Sequence, residues 1–340
     1  MALPHRIQDL APEHARFCLR VQRFMTDELS LDLRGARIVV GFSGGVDSTV
    51  LLAALSLLSR RLECTVTAAH LDHGLRAESA EDAAHARRTC EAWGIPFTHR
   101  RVDVRAMAGG ASGVENAARS ARYGFLEQVR ADGGADFIAL GHTLDDLGED
   151  VLMRQTRGAG WPQLGGMRAV VPERHVIRPL LLTTRAQIED FATGLGLPWV
   201  EDATNADTTY TRNRFRHDIL PRLARENPNF LGSIAEQWRL ARLDADFFAA
   251  QVSAALSGAV QGDGTIFLPR EIIEDTHKAL RLRIFKAALE RLGPGQSRAD
   301  ALHRLDALFL SREGGKTVQF PGGKTATCSA AGVLLKPRCG

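Results

Sequence analysis

Ile38-Val39-Val40-Gly41-Phe42-Ser43-Gly44-Gly45-Val46-Asp47-Ser48-Thr49-Val50-Leu51-Leu52 is the stretch on which the fold turns. Its first part, Ile38 to Phe42, is β-branched and apolar and reads as a buried strand. From Thr49 to Leu58 the apolar spacing is helical, so only Ser43 to Ser48 separates strand from helix. Two glycines let the main chain approach an oxyanion, successive amides form an anion-binding nest, and the helix start adds partial positive charge. Ser43, Gly44, Gly45, Val46, Asp47 and Ser48 therefore read as a phosphate-binding loop, with the serines adding hydroxyl donors. The lysine of a Walker A loop is missing. Asp47 would repel a bare phosphate, which suits a carboxylate that holds magnesium. A Gly-rich turn with a Ser/Asp helix cap is the plainer alternative; it does not account for strand, loop, helix, both serines and the aspartate together.

Outward from this loop, further short apolar runs at Cys64 to Leu71, Phe97 to Val102 and Asp136 to Leu140 read as strands. Helical periodicities at Ala80 to Trp93 and Val114 to Arg130 fall between them. Strand and helix in alternation predict an α/β domain, a parallel sheet with helices on both faces. Ligands in such folds bind at the carboxyl ends of the strands. Residues 161–179 are rich in Gly and Pro and read as a long loop, and Arg185 to Leu195 as another helix. Beyond Pro228 the pattern is mainly helical, at Leu231 to Leu256, Ile272 to Leu292 and Ala299 to Leu310. Three short strands close the chain, Thr317 to Phe320, Lys324 to Cys328 and Val333 to Lys336. The expected division is thus 1–227 and 228–340.

The chain has 340 residues with 43 basic and 40 acidic side chains, a net charge of +3. That balance excludes a disordered or collagen-like chain, and the length suits about two domains. Five scattered cysteines form no CxxC pair, which points to a reducing, cytoplasmic setting without disulfides. No secretory signal is recognisable at the start, and no apolar run approaches the ~20 residues that would span a membrane. Only five of the basic residues are lysines, and the first is Lys278. A mechanism that needs a protein lysine earlier in the chain is excluded.

Four further clusters carry chemistry. His70-Leu71-Asp72-His73-Gly74-Leu75-Arg76 ends the second strand. Gly141-His142-Thr143-Leu144-Asp145-Asp146-Leu147-Gly148-Glu149 ends the fourth, and Asp146 and Glu149 are three apart, hence on one helix face. Carboxylates beside phosphates need a cation, either magnesium, a substrate ammonium or both; the alternative is a helix start enriched in acid to suit its dipole. Glu115, Arg119 and Arg122 share one face of another helix. Finally, Thr211-Arg212-Asn213-Arg214-Phe215-Arg216-His217 packs arginines, an asparagine and a histidine into a surface suited to phosphates and bases.

SGGxDS in this setting resembles the pyrophosphatase loop of the ATP pyrophosphatase (PP-loop) superfamily, with its adenine nucleotide alpha-hydrolase-like fold. SGGVDS, HLDHGLR, ENAARSARYGFL, GHTLDD with Glu149, RGAG, RPLL with Thr184-Arg185, and DxxNxxxxxxRNxxR together resemble the tRNA(Ile)-lysidine synthetase family over about residues 36 to 225. Leu147 and Asp150 stand where that family usually has Gln and Thr. The resemblance implies a cytoplasmic ligase that uses ATP and Mg2+ to join free L-lysine to the wobble cytidine of tRNA(Ile) with a CAU anticodon, through an adenylated cytidine. It assigns Ser43 to Ser48 to ATP, Asp47 to magnesium, and Arg122, Asp146 and Glu149 to lysine. Catalysis falls to Asp47, Asp146, Glu149 and His73, with Arg76 near the intermediate. Asp202, Asn205, Arg212, Asn213 and Arg216 are the expected tRNA contacts; the resemblance says little about the helical region beyond Pro228, where basic positions such as Arg281, Arg283 and Lys286 are expected to add phosphate contacts. The oligomeric state stays open, a homodimer included. A related tRNA thiolase would need sulfur-carrying cysteines, and a non-catalytic RNA-binding protein would not need intact Asp47, Asp146 and Glu149.

Overall fold

The run beginning at Ile38 lies at the middle of a six-stranded sheet. The computed structural model describes residues 3–4, 6–74, 79–107, 113–201, 211–262 and 264–337. Its first sheet contains β1 (Arg37–Gly41), β2 (Thr65–Asp72), β3 (Phe97–Arg101), β4 (Phe137–Ala139), β5 (Val170–Val171) and β6 (Val176–Ile177), in the order β3-β2-β1-β4-β6-β5. Every pairing is parallel except β5 with β6. Strand order runs outward from β1 to β3 on one side and resumes at β4 on the other. The loops leaving β1 and β4 therefore part at the strand ends, which opens a crevice there.

Alternation along β1 explains the two covered faces. Ile38, Val40 and Phe42 join one core with the helix Val46–Leu62, whereas Val39 joins another with Phe125 and Leu126 of the helix Val114–Asp132. Val50, Leu51, Leu52, Leu55 and Leu58 are fully buried, and each contributes roughly 1.5–3 kcal/mol. The helix that starts at the phosphate loop is thus held along its length. Periodicity alone starts it at Thr49; it starts at Val46, directly on Gly45.

Residues 161–179 are less loop-like than their composition suggests, because they contain the β5–β6 hairpin. Two-residue strands are too short to leave a period in sequence, and burial of Val176 and Ile177 is what fixes them.

The chain divides into Met1–Arg239 and Leu240–Gly340, a cut that falls inside the helix Phe230–Ser257, beyond the composition shift at Pro228. The second unit has its own core, built on the helices Lys278–Arg291 and Ala299–Ser311. Its antiparallel sheet has five strands, in the order β7 (Val260–Gly262), β8 (Thr265–Pro269), β11 (Gly332–Pro337), β10 (Lys324–Ser329) and β9 (Thr317–Phe320). The closing three strands match the sequence reading, and the β7–β8 hairpin adds to them. Among the described residues no helix is long and apolar enough to cross a membrane.

One glycine sets the spacing of the crevice. A Cβ on Gly141, just after β4, would lie 3.1 Å from the carbonyl carbon of Asp47 and 3.2 Å from the amide nitrogen of Ser48. Both are backbone atoms of a buried helix and cannot yield. Gly141→Ala is expected to destabilise the protein by about 1–3 kcal/mol in chemical denaturation, as overpacking does. Gly160→Ala, with nothing within 4 Å, should be close to neutral.

Candidate active site

At the end of β1 the chain turns through Gly44, whose φ of +88° is left-handed and suits glycine. The Gly44 carbonyl accepts from the Val200 amide at 2.9 Å. Ser48 Oγ donates to the Gly45 carbonyl (3.0 Å) and accepts from the Ser43 amide (3.1 Å), and the two serine hydroxyls lie 3.0 Å apart. Gly45 is the N-cap of the following helix and supplies no side chain to its first-turn amides. Those amides are the unsatisfied donors that an anion takes. Ser43 is exposed and can reach a ligand, whereas buried Ser48 holds the loop in shape.

Asp47, in the first turn, is half-buried. Its Oδ2 accepts from Arg185 Nη1 at 2.9 Å, while its Oδ1 is buried with no hydrogen-bond partner. Burial pushes its carboxyl up to about 6, against the pull of Arg185, and Asp146 and Asp145 add to the rise. An orphaned carboxylate oxygen fits a hard cation such as magnesium. Among the described residues no three His, Cys, Asp or Glu side chains gather into a metal cluster. The one unpartnered carboxylate oxygen fits a magnesium ion whose other ligands would come from phosphates and water.

The loop after β4 brings the other carboxylates to the same place. Thr143 caps the helix Leu144–Thr156: its hydroxyl accepts from the Asp146 amide (3.2 Å), and its own amide donates to Asp146 Oδ2 (2.8 Å). This capping box answers the departures at Leu147 and Asp150: Leu147 is core, and Asp150 pairs with Arg154. Asp146 and Glu149 lie on one helix face as their spacing requires, and both are buried.

Their partners are two of the arginines assigned to tRNA. Arg212 Nε and Nη2 donate to Glu149 Oε2 (2.6 Å) and Asp146 Oδ1 (2.9 Å). Arg216 Nε and Nη2 donate to Glu149 Oε1 (2.6 Å) and Asp146 Oδ1 (3.0 Å). The two arginines come from consecutive helical turns, Thr211–Arg214 and the π-helical Phe215–Ile219. Burial alone would raise the Asp146 carboxyl; Arg212, the Thr143 amide and Arg216 outweigh it and hold the group below the ordinary range. Asn213, which follows Arg212 in sequence, is half-buried.

Two histidines border this cluster and are neutral. Burial, then the charge of Arg178, brings His142 down to about 3, and Arg178 Nε donates to its Nδ1 at 3.0 Å. Burial, then the charge of Arg122, brings His73 down to about 4, and its Nδ1 is buried without a partner. Arg122, assigned to lysine together with Asp146 and Glu149, is exposed and lies beside His73, Tyr123 and Arg119. Asp202, Asn205, Arg76 and the side chain of Glu115 lie outside the described residues. In the second unit Arg281 is buried against Asp306, which removes it from the surface, and Arg283 stacks on Phe248. Sequence reasoning missed the roles of Arg185 and Arg178. The Thr184-x-x-Gln187 capping box was the available sign that a helix starts with Arg185 at its first position.

A profile described as the PP-loop domain matches residues 15–223. The chain is 43% identical over 321 residues to a tRNA(Ile)-lysidine synthase of Nitratidesulfovibrio vulgaris, covering 89% of this chain and 92% of that relative. It is 36% identical over 293 residues to a tRNA(Ile)-lysidine synthase of Solibacter usitatus, covering 85% of this chain but only 64% of the longer relative. Among solved structures, the U34-tRNA thiolase NcsA of Methanococcus maripaludis with its [4Fe-4S] cluster shares the fold, with a TM-score of 0.57 and 19% identity over 68% of this chain and 79% of that one.

The raised carboxyl of Asp47 has a consequence for stability. Its charged form is less favourable in the folded than in the unfolded chain, so above pH ~6 the ionised group destabilises the fold, and stability is regained as pH falls from about 6 towards 4. Asp47→Asn is expected to be more stable than the parent at pH 7.5 by about 1–3 kcal/mol. That gain should shrink as denaturation is repeated at pH 5.

Proposed function

Since the chain belongs to the tRNA(Ile)-lysidine synthase family of PP-loop proteins, we propose that it joins free L-lysine to the wobble cytidine of tRNA(Ile) with a CAU anticodon, at the expense of ATP. The observation that carries this reading is the buried Asp146–Glu149 pair. It holds cationic side chains at 2.6–3.0 Å, close to a loop built for phosphate. A pocket of that kind suits an amine that must meet an ATP-activated base.

Chemistry follows from the charges. The cytosine oxygen attacks the α-phosphate, the bond to pyrophosphate breaks, and the electron pair leaves with pyrophosphate, which the open amides of Val46 to Ser48 and the Ser43 hydroxyl receive. Magnesium, when bound, neutralises phosphate charge; Asp47 Oδ1 would hold it. The lysine ε-amine then attacks the ring carbon that bears the adenylated oxygen, and AMP departs. That amine must shed a proton, and Asp146 or Glu149 is the nearest base, which makes both catalytic as well as binding residues. His73, neutral and with Nδ1 unpartnered, is suited to hydrogen-bond the activated base, and Arg122 beside it to take a carboxylate. Asp202, Asn205, Arg212, Asn213 and Arg216 are the proposed tRNA contacts of the first unit. Arg212 and Arg216 then have two anionic partners, Asp146 with Glu149 in the free protein and RNA phosphate in the complex. The second unit supplies further phosphate contacts, through residues other than Arg281. A cytoplasmic site follows from the substrate, and a homodimer is compatible with it.

A sulfur-transfer reading is less favoured. Cys18, Cys64, Cys90 and Cys328 are buried, and burial pushes the Cys18 and Cys90 thiols up to about 12, far from thiolate character.

Nucleoside analysis of isoleucine tRNA after incubation with protein, ATP and lysine is expected to find lysidine, with AMP released only when tRNA and lysine are both present. AMP release without tRNA, or equally with another amino acid, would overturn the reading. Glu149→Gln should raise the lysine KM about tenfold or more while leaving the ATP KM within about twofold, as loss of a charged contact does. The reverse pattern would move Glu149 from the amine to the nucleotide.

A further inference from the structure

Pyrophosphate leaves an ATP-cleaving site with charge building on the oxygen that bridged it to the α-phosphate. In a Walker A loop a lysine meets such charge. Here no lysine precedes Lys278. Among the described residues, Arg185 is the cation hydrogen-bonded to the phosphate loop's carboxylate, at 2.9 Å from Asp47. Arg212 and Arg216 are engaged on Asp146 and Glu149 instead.

Arg185 is also placed with precision. It opens the helix Arg185–Gly194, which Thr184 and Gln187 cap reciprocally. Its backbone amide donates to Asp145 Oδ2 at 2.7 Å, so the residue is pinned to the first turn of the helix Leu144–Thr156 independently of its side chain. Ile188, Phe191 and Ala192 of its helix share one core with the helix that begins at the phosphate loop. The side chain is 41% exposed, with Nε on Glu189 and Nη1 on Asp47, which leaves N–H donors over for a ligand.

We propose that Arg185 is the pyrophosphate-facing cation of the reaction. In the free protein its guanidinium closes on Asp47; with ATP bound it turns to the β- and γ-phosphate oxygens, releasing Asp47. As the bond from the base oxygen to the α-phosphorus forms and the bond from that phosphorus to the pyrophosphate oxygen breaks, the electron pair stays on pyrophosphate, where Arg185 neutralises it. The inference rests on the ATP-cleaving reading above for the identity of the leaving group, and on nothing in the lysine or tRNA assignments.

Direct binding of ATP, pyrophosphate and AMP to the full chain, without tRNA, lysine or added metal, tests it. Arg185→Ala should weaken ATP and pyrophosphate at least about tenfold, the size of a lost charge-assisted hydrogen bond. AMP, which has no β- or γ-phosphate, should stay within about twofold, and Arg185→Lys should recover part of the loss. The decisive comparison repeats Arg185→Ala in an Asp47→Asn background. An equal fold-loss there supports contact with phosphate. A loss that vanishes there, or one that AMP shares, overturns the proposal and makes Arg185 a counter-ion for Asp47 alone. A chain that bound these ligands as expected but made no lysidine would leave this inference standing and remove the other.

Discussion

Asp47, Asp145, Asp146 and Glu149 stand together at the carboxyl ends of β1 and β4, partly or wholly out of water, where carboxylates are costly unless cations replace the solvent. At an effective dielectric of about 20, two unit charges about 4 Å apart interact by about 4 kcal/mol, so neighbours decide the protonation of each group. Asp146 and Asp47 show this from opposite sides. Two guanidiniums and a backbone amide keep Asp146 below the ordinary range, while at Asp47 the bonded Arg185 and the more distant Arg216 fail to offset burial and the neighbouring carboxylates, and the group rises to about 6. Arg185, Arg212 and Arg216 are therefore part of what allows this site to stay ionised while the fold around it closes.

Much of this was legible in the sequence, where the signal is local. Strand, glycine turn and helix follow each other without a gap around Ser43 to Ser48, and the spacing of Asp146 and Glu149 dictates a shared helix face whatever surrounds it. The direction in which Arg212 and Arg216 point was not legible. A cluster of arginines reads the same whether it meets solvent, RNA or buried acid, and here the acids lie 63 to 70 positions away. Arg185 and Asp47 are 138 apart, and only the parallel order of the strands brings them together. The β5–β6 hairpin escaped for a different reason, since its burial comes from β4 alongside and not from a pattern of its own. The hairpin at Val260–Pro269 did carry a sign, a glycine-rich turn before Ile266-Phe267-Leu268, which the surrounding helical periodicity masked.

In the second unit, Lys324 illustrates how a charge is kept in a core without an acid. It is 2% exposed, and its Nζ donates to the carbonyls of Leu289, Gly293 and Gly295 at 2.9–3.1 Å. Three carbonyls match the three donors of an ammonium, so the group ties the strand β10 to the end of the helix Lys278–Arg291. Its chemistry is thereby spent on structure.

The clasp on Asp146 and Glu149 is made of guanidiniums, and the choice bears on reactivity as well as charge. A guanidinium stays protonated throughout the physiological range and has no lone pair to offer, so it is inert toward electrophiles. An ammonium in the same position would be held charged by the adjacent carboxylates at rest, but it keeps a removable proton and so could become a tethered nucleophile facing an activated base in the crevice. Built from arginine, in a unit without a single lysine, the pocket has no ε-amine of its own unit that could react with an activated base.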